Sequence, residues 1–277
     1  MEGDISQAQA TDVADLYNRV ASRYSSTGPA VFVHFGQRLV DLAALAPGER
    51  VLDVGAGRGA IVFPAATRVG TRGQVIGIDV AAAMVEETAA EIARVGLPNA
   101  VMRVMDGERL TFPDASFDAV LCGFALFFLD IERALSAFYR VLRAGGRVAV
   151  NSGAGLDERW RWYNDLLIAY HEAYGVPVSP PQRGASWTPV DLPSIVARAG
   201  FTDVRAVTEE TAFTYADEQE WWLSKWTHGA RYPLERMQAD VLERFRAEAF
   251  AKLAPLRQPD GFVERWRVLT VIGARPA

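Results

Sequence analysis

Apolar residues in the first part of the chain recur at spacings of three and four: Leu16, Val20 and Tyr24, then Phe35, Leu39 and Leu42. That period predicts a helical lead over residues 12–46. The stretch Ser25 to Pro29 divides the lead in two, and Pro47 with Gly48 ends it. From Arg50 the texture changes. Short runs rich in β-branched residues, at 50–54, 74–79, 100–105, 117–123 and 147–152, predict strands, and helical patterns at 59–70, 82–95 and 131–143 separate them. Pro64 should kink or delay the first of these helices. Strands alternating with helices imply right-handed crossovers and a mostly parallel sheet covered on both faces.

After Ser152 the alternation slackens. A helix rich in tryptophan and tyrosine is predicted over 156–175, followed by a loop through Pro180, Pro181 and Pro189. A helix at 192–199 and a strand at 202–209 return, then helices at 217–229 and 233–254, and a last strand at 262–274. The sheet therefore has seven strands, and the late helices are insertions over one of its ends, not a separate domain. The division expected is a helical segment over 1–48, an α/β core over 49–153, and the rest of the sheet with inserted helices over 154–277, in a single compact unit.

Composition narrows the partners. At 277 residues the chain allows one or two domains, taking roughly 150 residues for each. Its 29 basic and 34 acidic residues leave a net charge of −5, which argues against a nucleic-acid partner. No run approaches the roughly 18–20 apolar residues of a membrane span. The segment Met1 to Asp15 is polar and acidic, unlike a signal peptide. The lone Cys122 can form no internal disulfide, so the cytoplasm is the expected compartment. Oligomeric state is open, a homo-oligomer included.

The chemistry concentrates in Val51-Leu52-Asp53-Val54-Gly55-Ala56-Gly57-Arg58-Gly59-Ala60, where a strand runs into a glycine loop that opens a helix. Bare backbone amides there can approach a ligand. Gly55, Gly57 and Ala60 also satisfy the dinucleotide pattern, so spacing alone leaves nicotinamide and other adenosine cofactors in play. Asp79, 20 residues after Gly59 at the end of the second predicted strand, is placed to accept from a ribose hydroxyl.

The stretch Val51 to Val150 resembles the class I S-adenosylmethionine-dependent methyltransferases. The match has several parts in order: the glycine loop; Gly77-Ile78-Asp79; Met105-Asp106-Gly107-Glu108; Phe112-Pro113-Asp114-Ala115-Ser116-Phe117-Asp118; and Leu142-Arg143-Ala144-Gly145-Gly146-Arg147. Ala144 stands where the family usually has proline, a departure that should loosen a turn and leave the cofactor site intact. The lead Leu16 to Tyr24 resembles the entry helix of ubiquinone-type and small-molecule methyltransferases. The resemblance implies a Rossmann-like sheet with an N-terminal helical lid and a cap of inserted helices. It also implies S-adenosylmethionine as cofactor. Gly55, Ala56, Gly57 and Gly59 would face its methionine end, with Asp53 holding the amino group. Asp79 would bind the ribose, and Asp106 and Gly107 the adenine. Cys122, Gly123 and Phe124 would line the strand end near the sulfonium, and Tyr24, Val80 and Met84 would complete the surroundings.

No acid follows the fourth strand at Cys122-Gly123-Phe124, which argues against the metal-dependent catechol type. No Asn or Asp precedes a Pro-Pro-aromatic run, the mark of many base methyltransferases. With the net charge, this points to a small-molecule acceptor, as in specialised metabolism. No cluster of His, Cys and carboxylates has metal-ligand spacing, so no metal is expected. Six tryptophans between 160 and 226 favour an apolar or flat acceptor. Candidate catalytic groups are Tyr17 and Tyr24, seven residues apart on one helical face, and His171, with His228 and His34 behind it. Each of these also suits plain packing. Two other functions stay open on the residues alone: an NAD-dependent oxidoreductase and a non-catalytic S-adenosylmethionine-binding protein.

Overall fold

A computed structural model describes residues 2–155, 157–180 and 188–277, and for residues 2–10 the backbone only. Leu156 and Pro181, at the start of the predicted aromatic helix and in the proline-rich loop, lie outside the described residues. The helices are α1 (Glu2–Val20), α2 (Val31–Ala43), α3 (Val62–Val69), α4 (Ala82–Arg94), α5 (Ile131–Val141), α6 (Arg161–Tyr174), α7 (Leu192–Arg198), α8 (Glu218–Ser224), α9 (Arg231–Leu234) and α10 (Ala239–Leu253). The strands are β1 (Arg50–Val54), β2 (Gln74–Asp79), β3 (Ala100–Val104), β4 (Phe117–Gly123), β5 (Leu142–Gly153), β6 (Thr202–Tyr215) and β7 (Phe262–Ala274).

They form one seven-stranded sheet in the order β3-β2-β1-β4-β5-β7-β6. β3, β2, β1, β4 and β5 pair in parallel, and β7 runs antiparallel to both β5 and β6. The fold is the Rossmann-like, mostly parallel α/β architecture expected. Strand order reverses between β1 and β4, and in open α/β sheets the crevice at such a switch point, beyond the strand C-termini, receives the ligand.

The strand period divides the interior. Val51 packs with α2 and α3 on one face of the sheet, whereas its neighbour Leu52 packs with α5 and α7 on the other. Because both faces are covered, β4 is an almost unbroken apolar run. A third core joins α6, α8 and α10 around Trp160, Trp221, Trp222 and Phe245, and it takes in Tyr215 and Phe262 where β6 ends and β7 begins. The inserted helices thus cap one end of the antiparallel pair.

Several boundaries differ from expectation. α1 begins at Glu2, ahead of residue 12. α3 starts only at Val62, so the helix is delayed and Pro64 falls in its first turn, where its missing N–H is not needed. β5 starts at Leu142, and the turn holding Ala144 is stitched to the chain end by Gly145 N–H donating to Arg275 O at 2.9 Å. β6 runs to Tyr215, six residues past the expected 209, because β7 offers it a partner along its whole length. The predicted helix over 233–254 is two, α9 and α10, separated around Met237.

Candidate active site

The glycine loop curls over the end of β2. The N–H groups of Gly55 and Ala56 both donate to Ile78 O, each at 2.9 Å. Gly57 N–H donates to one carboxylate oxygen of Asp79 at 2.9 Å, and Ala81 N–H donates to the other, also at 2.9 Å. Thr88 then donates its hydroxyl to Gly57 O at 2.8 Å. Asp79 therefore ties the loop after β1 to the start of α4. Burial raises its pKa, opposed by the N–H bonds of Ala81, Gly57 and Val80.

Asp53 is fully buried, and among the described residues neither of its carboxylate oxygens has a hydrogen-bond partner. Burial, and then the charge of Asp79, hold its pKa well above the ordinary value. Two inward carboxylates without a cation are costly, so the site is electrostatically suited to a ligand that carries positive charge. Both folded values are raised. Their stabilising contribution is therefore full below the ordinary 3.8 and is lost as pH rises through the raised values. Asp53→Asn is accordingly expected to raise the melting temperature of the ligand-free protein near neutral pH. The gain should shrink towards pH 4. Thermal scans from pH 4 to 8 check it, and a variant less stable than the parent at pH 8 would reject the electrostatic reading.

Against this loop lies a cavity of about 240 Å³. Of the residues singled out in the sequence, Tyr17, Tyr24, Gly55, Ala56, Gly57, Asp79, Val80, Met84, Asp106, Gly107, Gly123 and Phe124 line it. Asp53, Gly59, Cys122 and His171 do not. Asp53 lies behind the loop in the buried end of β1, and a Cβ on Gly59 would point 2.5 Å from the Phe63 ring, away from the cavity. Cys122 faces the core beside Leu126, where burial pushes its thiol up. His171 is exposed at the end of α6, with Nδ1 2.9 Å from Val176 O, and stands outside the cavity lining. His34 pairs with the Thr211 hydroxyl at 3.1 Å. His228 packs edge-on to Phe32, and burial, followed by the charge of Lys225, brings its pKa down to about 3, so it is neutral at physiological pH.

Lining residues that the sequence did not single out include Phe32, Arg58, Phe128 and Asn151. Arg58 stands inside the glycine motif and was readable there. It donates to Ala21 O at 2.6 Å, tying the N-terminal helices to the loop. Asn151, from the end of β5, accepts Phe124 N–H at 3.1 Å and holds that residue at φ +53. Its role depends on two strand ends meeting, so no local signal marks it.

Tyr17 and Tyr24 approach within 6.1 Å, ring to ring, and Phe128 lies edge-on to Tyr17 at 5.6 Å. Burial raises both hydroxyl pKa values, helped by Asp79. Both therefore stay protonated at neutral pH and can serve as donors but not as phenolate bases. The segment is also held by Asn18, whose side chain accepts Ala83 N–H at 2.9 Å, and by Ser25 N–H donating to Thr227 O at 3.1 Å.

A glycine loop at the switch point of a mostly parallel sheet, backed by buried carboxylates, defines an α/β enzyme core for an adenosine-containing ligand. The model of the methyltransferase domain family matches residues 52–150. Aklanonic acid methyltransferase DauC of Streptomyces sp. is 43% identical over 141 residues, 50% of this chain and 64% of that protein. Nocamycin O-methyltransferase of Saccharothrix syringae is 34% identical over 247 residues, 84% of this chain and 88% of the relative. Among solved structures, YcgJ of Bacillus subtilis superimposes with a TM-score of 0.61 at 19% identity, covering 88% of this chain and 99% of YcgJ, a likeness of fold. The chain belongs to the class I S-adenosylmethionine-dependent methyltransferases. That sets aside the oxidoreductase reading left open by Gly55, Gly57 and Ala60. Among the described residues, no helix is long and apolar enough to cross a membrane, and no group of three or more His, Cys, Asp or Glu is placed to hold a metal ion.

Proposed function

We propose that this enzyme transfers a methyl group from S-adenosylmethionine to a small, flat or apolar organic acceptor, without a metal, in natural-product biosynthesis. The observation that carries this reading is the meeting of the acidic glycine-loop site with the rings of Tyr17, Tyr24, Phe32, Phe124 and Phe128 in one cavity. Relatives named for aklanonic acid and nocamycin support a small organic acceptor. The net charge of −5 argues against nucleic acid, and the free, buried Cys122 supports residence in the cytoplasm.

The cofactor supplies an activated methyl group on a sulfonium, so the protein's task is alignment, worth up to about 7–11 kcal/mol. In this reading Asp53, from behind the loop, supplies negative charge opposite the cofactor's ammonium, and Asp79 meets its ribose through lone pairs that the loop N–H groups leave free. Asp106 and Gly107 take the adenine, beside Val80 and Met84. The aromatic faces of Tyr17, Tyr24 and Phe124 tolerate the positive sulfur. A volume of about 240 Å³ falls below the roughly 300–1,000 Å³ of ligand pockets. Residues 1–48 therefore act as a lid over the core at 49–153, opening to admit cofactor and acceptor and closing to exclude water. The helices of 154–277 form the acceptor-side cap.

Calorimetry should show binding of S-adenosylmethionine and no useful binding of NAD. Methyl label should pass from the cofactor into members of a library of planar phenols and carboxylic acids, and should still do so in excess chelator. Micromolar NAD binding, or no transfer to any acceptor, would count against this function.

The lid makes its own prediction. Removing one buried hydroxyl donor is worth about 0.5–1.5 kcal/mol, or roughly 3–10-fold. Tyr17→Phe or Tyr24→Phe should lower kcat by that factor while the melting temperature barely moves. Full activity in both variants would leave these rings with packing alone.

A further inference from the structure

Lys225, just beyond α8, is 6% exposed, a position lysine rarely takes without an anion beside it. Among the described residues its ammonium lies over three rings, at 5.1 Å from Trp221, 5.4 Å from Tyr215 and 5.6 Å from Tyr163. Among the described residues no carboxylate forms an ion pair with it. Glu264 acts on it from farther away, and that carboxylate is engaged by the Tyr215 hydroxyl at 3.1 Å.

The groups around Lys225 share its lack of acceptors. The Tyr163 hydroxyl and the indole nitrogens of Trp162 and Trp221 are buried without a hydrogen-bond partner. Their rings are neighbours, Trp162 at 5.9 Å from Tyr163 and 5.6 Å from Trp221. Trp160 beside them is different: its indole N–H donates to Val263 O at 2.9 Å. Buried polar groups are almost always satisfied, so an ammonium and several orphan donors on neighbouring rings call for a ligand rich in acceptor oxygen. Cation–π contacts stabilise the ammonium but leave every one of those N–H and O–H groups unmatched.

Lys225, Tyr163, Trp162 and Trp221 do not line the cavity; they stand a layer behind its wall, where the charge of Lys225 reaches His228. Trp266, whose indole nitrogen is also buried and unpartnered, packs 6.2 Å from Phe32, and His228 packs 5.8 Å from the same ring. The turn after Lys225 then reaches the lid, where a Cβ on Gly229 would stand 3.1 Å from the Tyr17 hydroxyl. Burial lowers the pKa of Lys225, opposed by the charge of Glu264, and His228 beside it is neutral.

We propose that Lys225, with the Tyr163 hydroxyl and the Trp162 and Trp221 N–H groups, forms an oxyanion subsite for the methyl acceptor. The acceptor is then a planar molecule bearing a carboxylate or an ionised phenol or enol, anchored at Lys225 with its body extending past Phe32 towards the cofactor. This rests on the methyltransferase reading of the cavity and specifies its acceptor.

The test uses the full-length protein, with and without saturating S-adenosylhomocysteine, titrated with 2-naphthoate and its uncharged analogue 2-naphthamide. Tryptophan fluorescence and calorimetry give the affinities. The naphthoate should bind at least tenfold more tightly than the amide. Lys225→Met should remove that preference and Lys225→Arg should keep most of it, with S-adenosylhomocysteine affinity unchanged in both. Equal binding of acid and amide by the parent overturns the proposal, as does failure of the naphthoate to bind, or a preference that survives Lys225→Met. If Lys225→Met does not fold, the parent ratio and a reduced preference in Tyr163→Phe decide. Failure to bind S-adenosylhomocysteine strikes the methyltransferase reading instead, while the acid-to-amide ratio without it still judges the subsite.

Discussion

Gly55→Ala is expected to lower the melting temperature by about 5–15 °C and S-adenosylmethionine affinity by a hundredfold or more. Gly55 has φ +71, and left-handed backbone costs a non-glycine residue about 1–2 kcal/mol. The new methyl group would also stand 2.3 Å from the Cβ of Ala125, which cannot swing aside as a long side chain could. Overpacking of that kind adds about 1–3 kcal/mol, and each kcal/mol is worth roughly 2–4 °C in a chain of this size. Relief would require moving the loop away from β4, which separates the amides of Gly55 and Ala56 from Ile78 O. Gly57→Ala supplies the contrast. Gly57 has φ +49, but a Cβ there meets no protein atom within 4 Å, and the residue lines the cavity. Its melting temperature should fall by only about 2–8 °C, the equivalent of the backbone strain alone. Its S-adenosylmethionine affinity should still drop by at least tenfold, because the methyl group projects where ligand belongs. Thermal scans paired with calorimetry read both variants. Parent-like stability in Gly55→Ala would show that the loop does not approach β4 as described.

Asp79→Ala is expected to reduce S-adenosylmethionine affinity by about two decades. A charge-assisted acceptor for ribose is worth about 1.5–3 kcal/mol, equivalent to one to two decades. The structure adds a further loss, because the same carboxylate holds Gly57 N–H and Ala81 N–H. Without it, the loop and the start of α4 lose their common anchor, so loop order falls together with ribose binding. Asp79→Asn separates these contributions. Its remaining carbonyl oxygen can accept one N–H, and the charge that raises the pKa of Asp53 is gone. Affinity in Asp79→Asn should lie between parent and alanine, with the melting temperature of the ligand-free protein no lower than that of Asp79→Ala. Unchanged affinity in Asp79→Ala, measured by calorimetry, would remove Asp79 from cofactor recognition.

The sequence made some parts of the site legible and hid others, and the division has a physical basis. The glycine loop, Asp79, Asp106 and Gly107 stand at strand ends, where chain direction and a turn fix position within a few residues. The residues that fell outside the cavity also follow simple rules. A strand alternates its faces, so Cys122 points into the core while Gly123 lines the cavity. Gly59 opens its missing side chain towards Phe63, where α3 packs close. His171 stands among aromatic residues in sequence, but the turn after α6 brings Val176 O to its ring.

Local pattern and spacing determined the seven strands, their alternation with helices, the glycine loop and the acidic residues after β2 and β3. Those features depend on contacts between near neighbours: a strand's period of two, a helix's period of 3.6, a loop that needs positive φ. Only the tertiary structure decided which carboxylates lack partners, that Asn151 holds Phe124, and that the N-terminal helices reach the inserted ones. It also decided that Lys225 is buried among Tyr163, Tyr215 and Trp221. Each of these joins residues remote in sequence, and their burial and charge environment exist only once the sheet, lid and cap have packed.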